Sequence, residues 1–458
     1  MSAQPSRRGG RAPNLSDVTL LRRCAVLPVV ALLLTGLTGP ASAAVSGAHE
    51  GAATGDATTA VRPVPVGLAV TSPEPGDPAA GAALARRVDQ ALAAAGATTI
   101  TAAVDVAGLG PVLRRDASRS LPPASTQKSY TGLSALVALG PTARFRTRVV
   151  TDRRPVLGRL RGSIWLVAGG DPYLSTADLR GLAAQVRATG IRSVSGGIRV
   201  DDSRYDARRT AGVWKSSFMP GQSGPLSALA LDRNTWRRDS AFLTDPAVPA
   251  AVRFRDLLRA EGVDVGSTVT RAAVPGSARQ LAVKVSAPLA YVVRRALKDS
   301  DNFAAELLLK DLGRVVKGEG STLAGVAATR QVLGGLGVPV GAVADGSGLS
   351  STNRQTPAGQ VLLLRAADST GTGQTFRGSL PVGCRDGTLR RRFCGTPAAG
   401  RVMAKTGTLS GVRALAGYTR TAGGRDVWFA FQLAGVTDGA RAVQAMDRAV
   451  VLLASAPE

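Results

Sequence analysis

The alternation of apolar and polar residues divides the chain into helical and strand-like segments. Apolar residues recur at helical spacing in AAGAALARRVDQALAAAG (79–96) and in DGARAVQAMDRAVVLLA (438–454), which predicts an amphipathic helix in each. They alternate with polar residues in TITAAVDVAGLGPVLRRDA (99–117), which predicts two strands around a Gly-Leu-Gly turn, and in RFRTRVV (144–150). Residues 400–436 predict three further strands, in the stretches GRVMAKTG, VRALAGYTR and DVWFAFQLAGV.

The middle of the chain has a different pattern. From residue 151 to residue 285, short Val/Ile-rich runs alternate with glycine-containing turns, which predicts a β-rich region. We therefore predict a multi-domain α/β protein. Residues 77–150 and 286–458 would form one domain, and residues 151–285 would be inserted between its two parts.

Helical spacing returns after this middle segment. In residues 286–313, Ser286 is placed to cap a helix and Pro288 to occupy its first turn. Thr356 and Pro357 mark the start of another helix, TPAGQVLLLRAA. The break between the two helical runs of 286–313 contains polar residues, which therefore become candidates for facing a cleft.

The N-terminus has the composition of a secretory signal. Residues 1–43 combine several arginines with the apolar run CAVLPVVALLLTGLTG and an A-x-A cleavage site ending at Ala43. An uncleaved anchor is the alternative, although the run is short for a membrane span. Residues 44–76 are rich in Ala, Gly, Thr and Pro without rhythm, which predicts a disordered linker. The expected location is outside the cytoplasm, secreted or associated with the cell wall or membrane surface.

The formal net charge of +25 raises the question of an anionic partner. No dense basic run with interleaved aromatic residues and no nucleic-acid module occurs, so we expect no nucleic acid and favour anionic cell-envelope polymers. Cys24 would leave with the signal. Cys384 and Cys394, ten residues apart in an oxidising compartment, are expected to form a disulfide. A zinc site is not expected there because no histidine is near.

The stretch PPASTQKSYTGLSALVALG places Ser125 three residues before Lys128, at the start of a predicted helix that Gly140 and Pro141 stop. Positions i and i+3 lie on one helical face, so the two side chains would point the same way. Serine hydrolases usually take a histidine as base, but the chain has one histidine, His49, in the predicted linker.

Lysine is the next candidate for the base, because a neutral amine accepts a proton and burial or a neighbouring cation lowers the lysine pKa. Arginine cannot do this. The chain has seven lysines among its 57 basic residues, so a lysine at position 128 is informative. The alternative is an exposed helix start with a capping serine, since Ser-x-x-Lys also occurs by chance.

Two further motifs follow in the chain. Ser300-Asp301-Asn302 lies in the break between two helical runs, where the alternative is a helix cap. Lys405-Thr406-Gly407-Thr408 ends an apolar strand, where the alternative is a turn after an edge strand. Any one of these motifs can occur by chance, but the occurrence of all three in this order is much less probable. Asp345-Gly346-Ser347-Gly348 is interpreted as a tight turn near the cleft.

With these motifs the chain resembles penicillin-recognising serine acyl-transferases. More closely, it resembles the D-alanyl-D-alanine carboxypeptidase/endopeptidase family of low-molecular-weight class C penicillin-binding proteins, peptidase family S13. The stretches SDNFAAELLLK, ADGSGLSSTNRQTP and LPVGCRDGTLRRRF resemble family blocks, and AGGDPYL resembles a block in the family's inserted domains. The resemblance implies a β-lactamase/transpeptidase-like domain with an insertion between the first two motifs. Cys384 and Cys394 depart from the family pattern.

The resemblance also implies roles for the motif residues. Ser125 would attack the carbonyl between two D-alanines, Lys128 would take its proton, and Ser300 would pass a proton to the leaving amine. Asn302 would hold the substrate amide and Lys128, and the neighbouring cation Lys405 would lower the pKa of Lys128.

The remaining implied roles concern binding. Lys405, Thr406 and Thr408, on either side of Gly407, would hold the terminal carboxylate, and the N–H groups of Ser125 and Thr408 would form an oxyanion hole. Asp301 would point away and structure its turn. The implied substrate is a peptidoglycan stem peptide, β-lactams are the implied inhibitors, and no metal or organic cofactor is implied. A β-lactamase and a catalytically silent wall-binding protein are the alternatives.

Overall fold

Residues 77–212, 214–235 and 244–457 are described by a computed structural model, without the side chain of Ser216. They fall within one compact unit. The predicted signal 1–43 and linker 44–76 lie outside the described residues, together with Cys24 and His49.

Some α-helices of the described residues were predicted from the sequence, and others were not. The helices are α1 (Pro78–Ala93), α2 (Gln127–Leu139), α3 (Thr176–Ala188), α4 (Ala247–Ala260), α5 (Leu289–Lys298), α6 (Asn302–Lys317), α7 (Thr322–Gly334), α8 (Pro357–Asp368), α9 (Gly373–Ser379) and α10 (Gly439–Ser455).

The strands follow in chain order. They are β1 (Thr99–Val106), β2 (Gly110–Arg115), β3 (Arg146–Thr151), β4 (Arg159–Leu160), β5 (Ile164–Val167), β6 (Ser193–Val194), β7 (Ile198–Asp201), β8 (Asp264–Val265), β9 (Val269–Arg271), β10 (Arg279–Val285), β11 (Met403–Leu409), β12 (Val412–Arg420) and β13 (Asp426–Ala434).

The N-terminal and C-terminal strands form one antiparallel sheet in the order β11-β12-β13-β1-β2. Successive strand residues face opposite sides of a sheet. Val104 and Phe431 accordingly belong to the core that α1 and α10 cover, whereas Ala103 and Ala430 pack with Val361 of α8 on the other side. The mixed α/β class predicted from the sequence is confirmed, and the strands predicted near the two ends of the chain meet in this sheet.

Helix α2 lies inside a helical core, which is why its polar residues are buried. Residues 127–136 are buried without a break. Tyr130, Leu133 and Leu136 of α2 belong to a cluster that also contains residues of α5, α6, α7, α8 and α9. A lysine in the first turn of this helix is therefore removed from water by the packing of the surrounding helices.

The middle segment contains a second sheet, ordered β10-β3-β5-β7-β9, and a small sheet of β4, β6 and β8. Strand β3 belongs to the second sheet, so that sheet begins before residue 151. The segment also contains α3 and α4, which the β-rich prediction missed. Helix α3 starts with a capping box of Ser175 and Asp178, a signal present in the sequence. The division at 151 and 285 stays a prediction.

Two local predictions were wrong in detail. Ser286 does not cap α5: its hydroxyl accepts from the Phe145 N–H at 2.9 Å and donates to the Ala287 carbonyl at 2.6 Å, and Pro288 is the N-cap. The Lys-Thr-Gly motif lies within β11 instead of ending it. No helix in the described ranges is both long and apolar enough to cross a membrane.

Cys384 and Cys394 form a disulfide in the structure, with Cα atoms 4.9 Å apart. The loop that they close reaches the Lys-Thr-Gly strand, since the Thr406 hydroxyl donates to the Thr388 hydroxyl oxygen at 2.9 Å. The disulfide therefore restrains a loop that lies against the candidate site.

Candidate active site

Ser125 lies in a single turn of 3-10 helix, Ala124–Thr126, that runs directly into α2. The turn is fixed from within, because Thr126 Oγ1 donates to the Pro123 carbonyl at 2.8 Å. Gln360 of α8 in turn donates to Thr126 Oγ1 at 2.6 Å. The serine is thus held on a rigid turn at the N-terminus of a buried helix.

Lys128 brings the first and second motifs together. Its Nζ lies 3.0 Å from Ser125 Oγ, 2.7 Å from Asn302 Oδ1 and 2.6 Å from the Ser347 carbonyl oxygen. Only 1% of the lysine is exposed. The amide nitrogen of Asn302 donates to the Gln222 carbonyl at 3.0 Å, which sets the amide orientation and leaves Oδ1 toward the lysine.

These three contacts are compatible with a neutral amine acting as a base. A neutral lysine has two N–H donors and one lone pair, and Asn302 Oδ1 and the Ser347 carbonyl only accept. When both hydrogens go to these two oxygens, the lone pair is directed at Ser125 Oγ. The hydroxyl of Ser125 is the one partner of the three that has a proton to give.

The electrostatic surroundings favour this neutral form. Burial lowers the pKa of Lys128 to about 8, against an opposing effect of Asp345, Glu306 and Asp301. The lowered pKa agrees with the prediction, but its cause differs, because desolvation takes the place of the predicted Lys405 cation. The influence of one lysine on the other is seen on Lys405, whose pKa is lowered by burial and next by Lys128.

Lys405 joins the third motif to the second. Its Nζ donates to Ser300 Oγ at 2.9 Å and to the Thr406 carbonyl at 3.0 Å, and the side chain is fully buried. Ser300 has a left-handed φ of 55°, uncommon for a serine, which turns the chain between α5 and α6. The two lysine–serine pairs thus lie around the same turn.

Strand β11 is an edge strand packed against the serine turn. A Cβ at Gly407 would lie 2.7 Å from the Pro123 carbonyl oxygen, so the close approach of strand and turn requires glycine here. Residues 381–383 pair with the start of β11 around Met403. From Lys405 to Leu409, among the described residues, β12 is its one strand neighbour. Thr408 is exposed on this segment.

Asp301 structures the turn of the second motif. Its carboxylate accepts from the Ala304 N–H at 3.1 Å, which caps α6, and pairs with Arg233 at 2.7 Å. It also accepts from the Tyr173 hydroxyl at 3.1 Å. Two residues of the middle segment therefore hold the turn that carries Ser300 and Asn302.

The structure also places groups in the site that the sequence did not point to. The carbonyls of Ser347 and Gln222 are main-chain acceptors, and a main-chain role leaves no signature in the side chain. Residues 346–348 form a bend, and the Ser347 carbonyl in it contacts Lys128. Among the described residues, no group of three or more histidine, cysteine, aspartate or glutamate side chains is arranged to hold a metal ion.

A Ser-x-x-Lys turn set between a Ser-Asp-Asn turn and a Lys-Thr-Gly edge strand defines a penicillin-recognising serine acyl-transferase. Residues 82–241 and 237–456 match the model of the D-Ala-D-Ala carboxypeptidase 3 (S13) family. The chain belongs to this family, and the predicted resemblance is confirmed.

Two curated relatives agree with this assignment. A D-alanyl-D-alanine carboxypeptidase of Actinomadura sp. (strain R39) is 32% identical over 407 residues, which cover 70% of this chain and 75% of the relative. The carboxypeptidase DacB of Mycolicibacterium smegmatis is 32% identical over 436 residues, covering 88% and 91%. The chain is accordingly a serine-type D-Ala-D-Ala carboxypeptidase, a peptidase of the hydrolase class.

A solved structure supports the fold. Penicillin-binding protein 4 (dacB) from Haemophilus influenzae superposes with a TM-score of 0.72 at 21% sequence identity, covering 80% of this chain and 99% of that one. The match includes most of the described residues, so the arrangement of sheets and helices is shared well beyond the motifs.

Proposed function

We propose that Ser125 cleaves the peptide bond between the two terminal D-alanines of peptidoglycan stem peptides through an acyl-enzyme. The observation that carries this proposal is the contact set of Lys128. Its Nζ lies 3.0 Å from Ser125 Oγ, and two acceptor-only oxygens take up the hydrogens of the neutral amine.

In the first step a bond forms between Ser125 Oγ and the substrate carbonyl carbon, and the serine proton moves to Lys128 Nζ. The carbonyl oxygen becomes an oxyanion that the N–H groups of Ser125 and Thr408 stabilise. The carbon–nitrogen bond to the last D-alanine then breaks. The leaving amine takes up the proton that Lys128 received from Ser125. The Ser300 hydroxyl, which lies 2.9 Å from Lys405 Nζ, passes this proton on.

Substrate recognition uses the free side of β11. An extended peptide that lies along Lys405–Leu409 would pair with main-chain groups on the side of this edge strand that does not face β12. Lys405, Thr406 and Thr408 then bind the terminal carboxylate, and Asn302 holds the amide of the substrate as well as Lys128. Removal of the last D-alanine and cleavage of a cross-link are both compatible with this arrangement.

The second step is hydrolysis. Water attacks the acyl carbon and gives a proton to Lys128 Nζ, the bond to Ser125 Oγ breaks, and Lys128 returns the proton to the serine oxygen. A β-lactam enters the same first step, but its leaving amine stays attached to the acyl group after the ring opens. The drug therefore remains on Ser125 and blocks the site, which makes β-lactams inhibitors of this enzyme.

We also propose that the enzyme acts outside the cytoplasm, at the cell wall or membrane surface, where its substrate lies. The excess of 57 basic over 32 acidic residues favours association with anionic envelope polymers. Such association is non-specific in nature and weakens as the salt concentration rises.

Mixing the protein with penicillin tests the proposed function. We expect one stable adduct on Ser125, located by mass spectrometry of the digested protein, and release of D-alanine from a peptide ending in D-Ala-D-Ala. Rapid turnover of the drug would instead indicate a β-lactamase. If the protein forms no adduct and does not turn over the drug, it is a silent wall-binding protein. Ser125→Ala is the control, and it should give no adduct.

The acylation rate should depend on pH through Lys128. At pH 7 a pKa of about 8 leaves about one amine in ten neutral, against about one in three thousand for an ordinary lysine. Only the neutral amine accepts the serine proton. The rate of penicillin labelling should therefore rise about tenfold per pH unit up to about pH 8 and level off above it.

Labelling rates measured from about pH 6 to about pH 10 check this profile. His49→Ala is the matched control, because it removes the one histidine of the chain and should leave the curve unchanged. A curve that follows His49, or that keeps rising to about pH 10 as an ordinary lysine would, would contradict the role given to Lys128.

A further inference from the structure

Glu306 is a buried carboxyl group close to the candidate base. It lies on α6, one helical turn after Asn302, and is fully buried. Its Oε1 accepts from the Ser347 N–H at 2.7 Å, and its Oε2 accepts from the Gly346 N–H at 3.2 Å. A buried carboxyl group is costly unless its oxygens are bonded, so this pair of contacts fixes both partners strongly.

Asp345 holds the other side of the same loop. Its carboxylate accepts from the Gly348 N–H at 2.8 Å and from the Ser350 N–H at 2.6 Å, and it is fully buried. The Gly346 carbonyl accepts from Thr131 Oγ1 at 2.9 Å, which ties the loop to α2 one turn beyond Lys128. The main chain of residues 345–350 is thus held in place by buried side chains.

This loop determines where the Ser347 carbonyl points. Ser347 donates its N–H to Glu306, and its carbonyl accepts from Lys128 Nζ at 2.6 Å. Lys128 needs two acceptors to direct its lone pair at Ser125, and the Ser347 carbonyl is one of them. If the carbonyl moves away, one amine hydrogen loses its partner and turns toward Ser125 Oγ.

We propose that Glu306 is a positioning residue for the acylation reaction, which holds the Ser347 carbonyl against Lys128 and so directs the lone pair of the base at Ser125. This rests on the proposed function. It adds a residue outside the three motifs and assigns the contact between α6 and the 345–350 loop to the reaction.

Charge gives the proposal a second readout. The carboxylates that face Lys128 are Asp345, Glu306 and Asp301, and they raise its pKa against the effect of burial; the cation Lys405 lies close enough for Lys128 to lower its pKa. Glu306 itself faces Asp345 and Lys310, and burial raises its pKa to about 8, so its charge develops in the same pH range in which Lys128 titrates. Loss of the Glu306 charge should therefore lower the pKa of Lys128 and move the rise in labelling rate to lower pH.

The test compares two substitutions of Glu306 in the full-length protein with penicillin as the probe. Glu306→Gln removes the ionisable carboxyl group, and with it the charge that develops near pH 8, and offers one acceptor oxygen to two N–H groups. We expect the plateau of the acylation rate constant to fall about 10- to 100-fold, with little change in non-covalent penicillin affinity, and the pH midpoint to move down. Glu306→Asp keeps the charge but is too short, so the plateau should fall without a shift of the midpoint.

Asp311→Asn is the matched control. Asp311 is a buried carboxylate on the same helix, but it pairs with Arg204 and Tyr205 of the middle segment. We expect this variant to lower thermal stability and to leave plateau and midpoint unchanged. If Glu306→Gln behaves like Asp311→Asn, the residue is structural and the proposal is wrong. If Glu306→Gln does not fold, an unchanged plateau in Glu306→Asp overturns it.

The two proposals fail separately. A wild-type protein without an adduct on Ser125 refutes the proposed function. A wild-type adduct together with an unchanged plateau in both Glu306 variants refutes only the positioning role.

Discussion

Replacing Lys128 with arginine is expected to lower the rate of Ser125 acylation by about 10²- to 10⁴-fold, the usual contribution of a general base. The substitution keeps a positive charge, but a guanidinium does not release its proton near neutral pH. The side chain lies 3.0 Å from Ser125 Oγ and is almost fully buried, so the charge alone has no way to accept the serine proton. The measurement is the rate of covalent penicillin labelling at neutral pH.

Arginine is also larger than lysine, and two comparisons separate its size from its chemistry. Lys310→Arg places the same group at another fully buried lysine, one that pairs with Asp206 outside the site. It should cost stability and leave the labelling rate of the folded protein unchanged. Lys128→Met removes the amine without added bulk and should label as slowly as Lys128→Arg. Near-normal labelling by either Lys128 variant would overturn the lysine mechanism.

The three motifs were predictable because their chemistry needs particular side chains. The reaction needs a nucleophilic hydroxyl, an amine that can lose its proton and an amide acceptor. Few residue types supply these groups, so Ser125, Lys128 and Asn302 can be identified in the sequence. The structure brings Ser125 and Asn302 within hydrogen-bonding distance of the Lys128 amine, and it joins Lys405 to Ser300. The roles of these residues in the reaction stay predictions until variants are measured.

The environment of Lys128 was less predictable. Its lowered pKa comes first from burial, which depends on the packing of helices α5 to α9 with α2 in one core. The family resemblance pointed to Lys405 instead, because a nearby cation can be inferred from a motif, whereas the extent of burial at Lys128 cannot. The contacts of the Ser347 and Gln222 carbonyls could not be predicted either, because every residue type has a main-chain oxygen.

The middle segment shows where pattern reading was incomplete. Glycine-rich turns and Val/Ile runs dominate its composition, so α3 and α4 went unrecognised. The helical spacing of Leu179, Leu182, Ala183 and Val186 was present in the sequence. Tertiary structure then adds what spacing does not contain. Phe303 and Leu307 of α6 complete the core of this segment. Helix α6, which begins at Asn302, is therefore part of the hydrophobic core of the middle segment.

Gly348→Ala is expected to cause the largest loss of stability among single-methyl changes near the site. Gly348 has a φ of +82°, which costs an alanine about 1 to 2 kcal/mol. A Cβ here would also overlap the carbonyl oxygen of Ala124, the residue before Ser125. Because both contacting groups belong to fixed backbone, the serine turn or the 345–350 loop must move. We expect a total cost of about 3 to 5 kcal/mol.

The same displacement should reach the chemistry. Ser125 is carried by the turn that Gly348 contacts, and the Ser347 carbonyl that Lys128 bonds is the neighbouring peptide. We expect penicillin labelling of the folded Gly348→Ala protein to slow by about tenfold or more.

Gly318→Ala is the matched control. Gly318 has a similar φ of +78°, but an added Cβ would meet open space, so backbone strain acts there without a clash. It should cost about 1 kcal/mol and leave labelling unchanged. Equal losses in the thermal unfolding midpoint for the two variants would show that the contact between the 345–350 loop and the Ser125 turn is looser than the structure indicates.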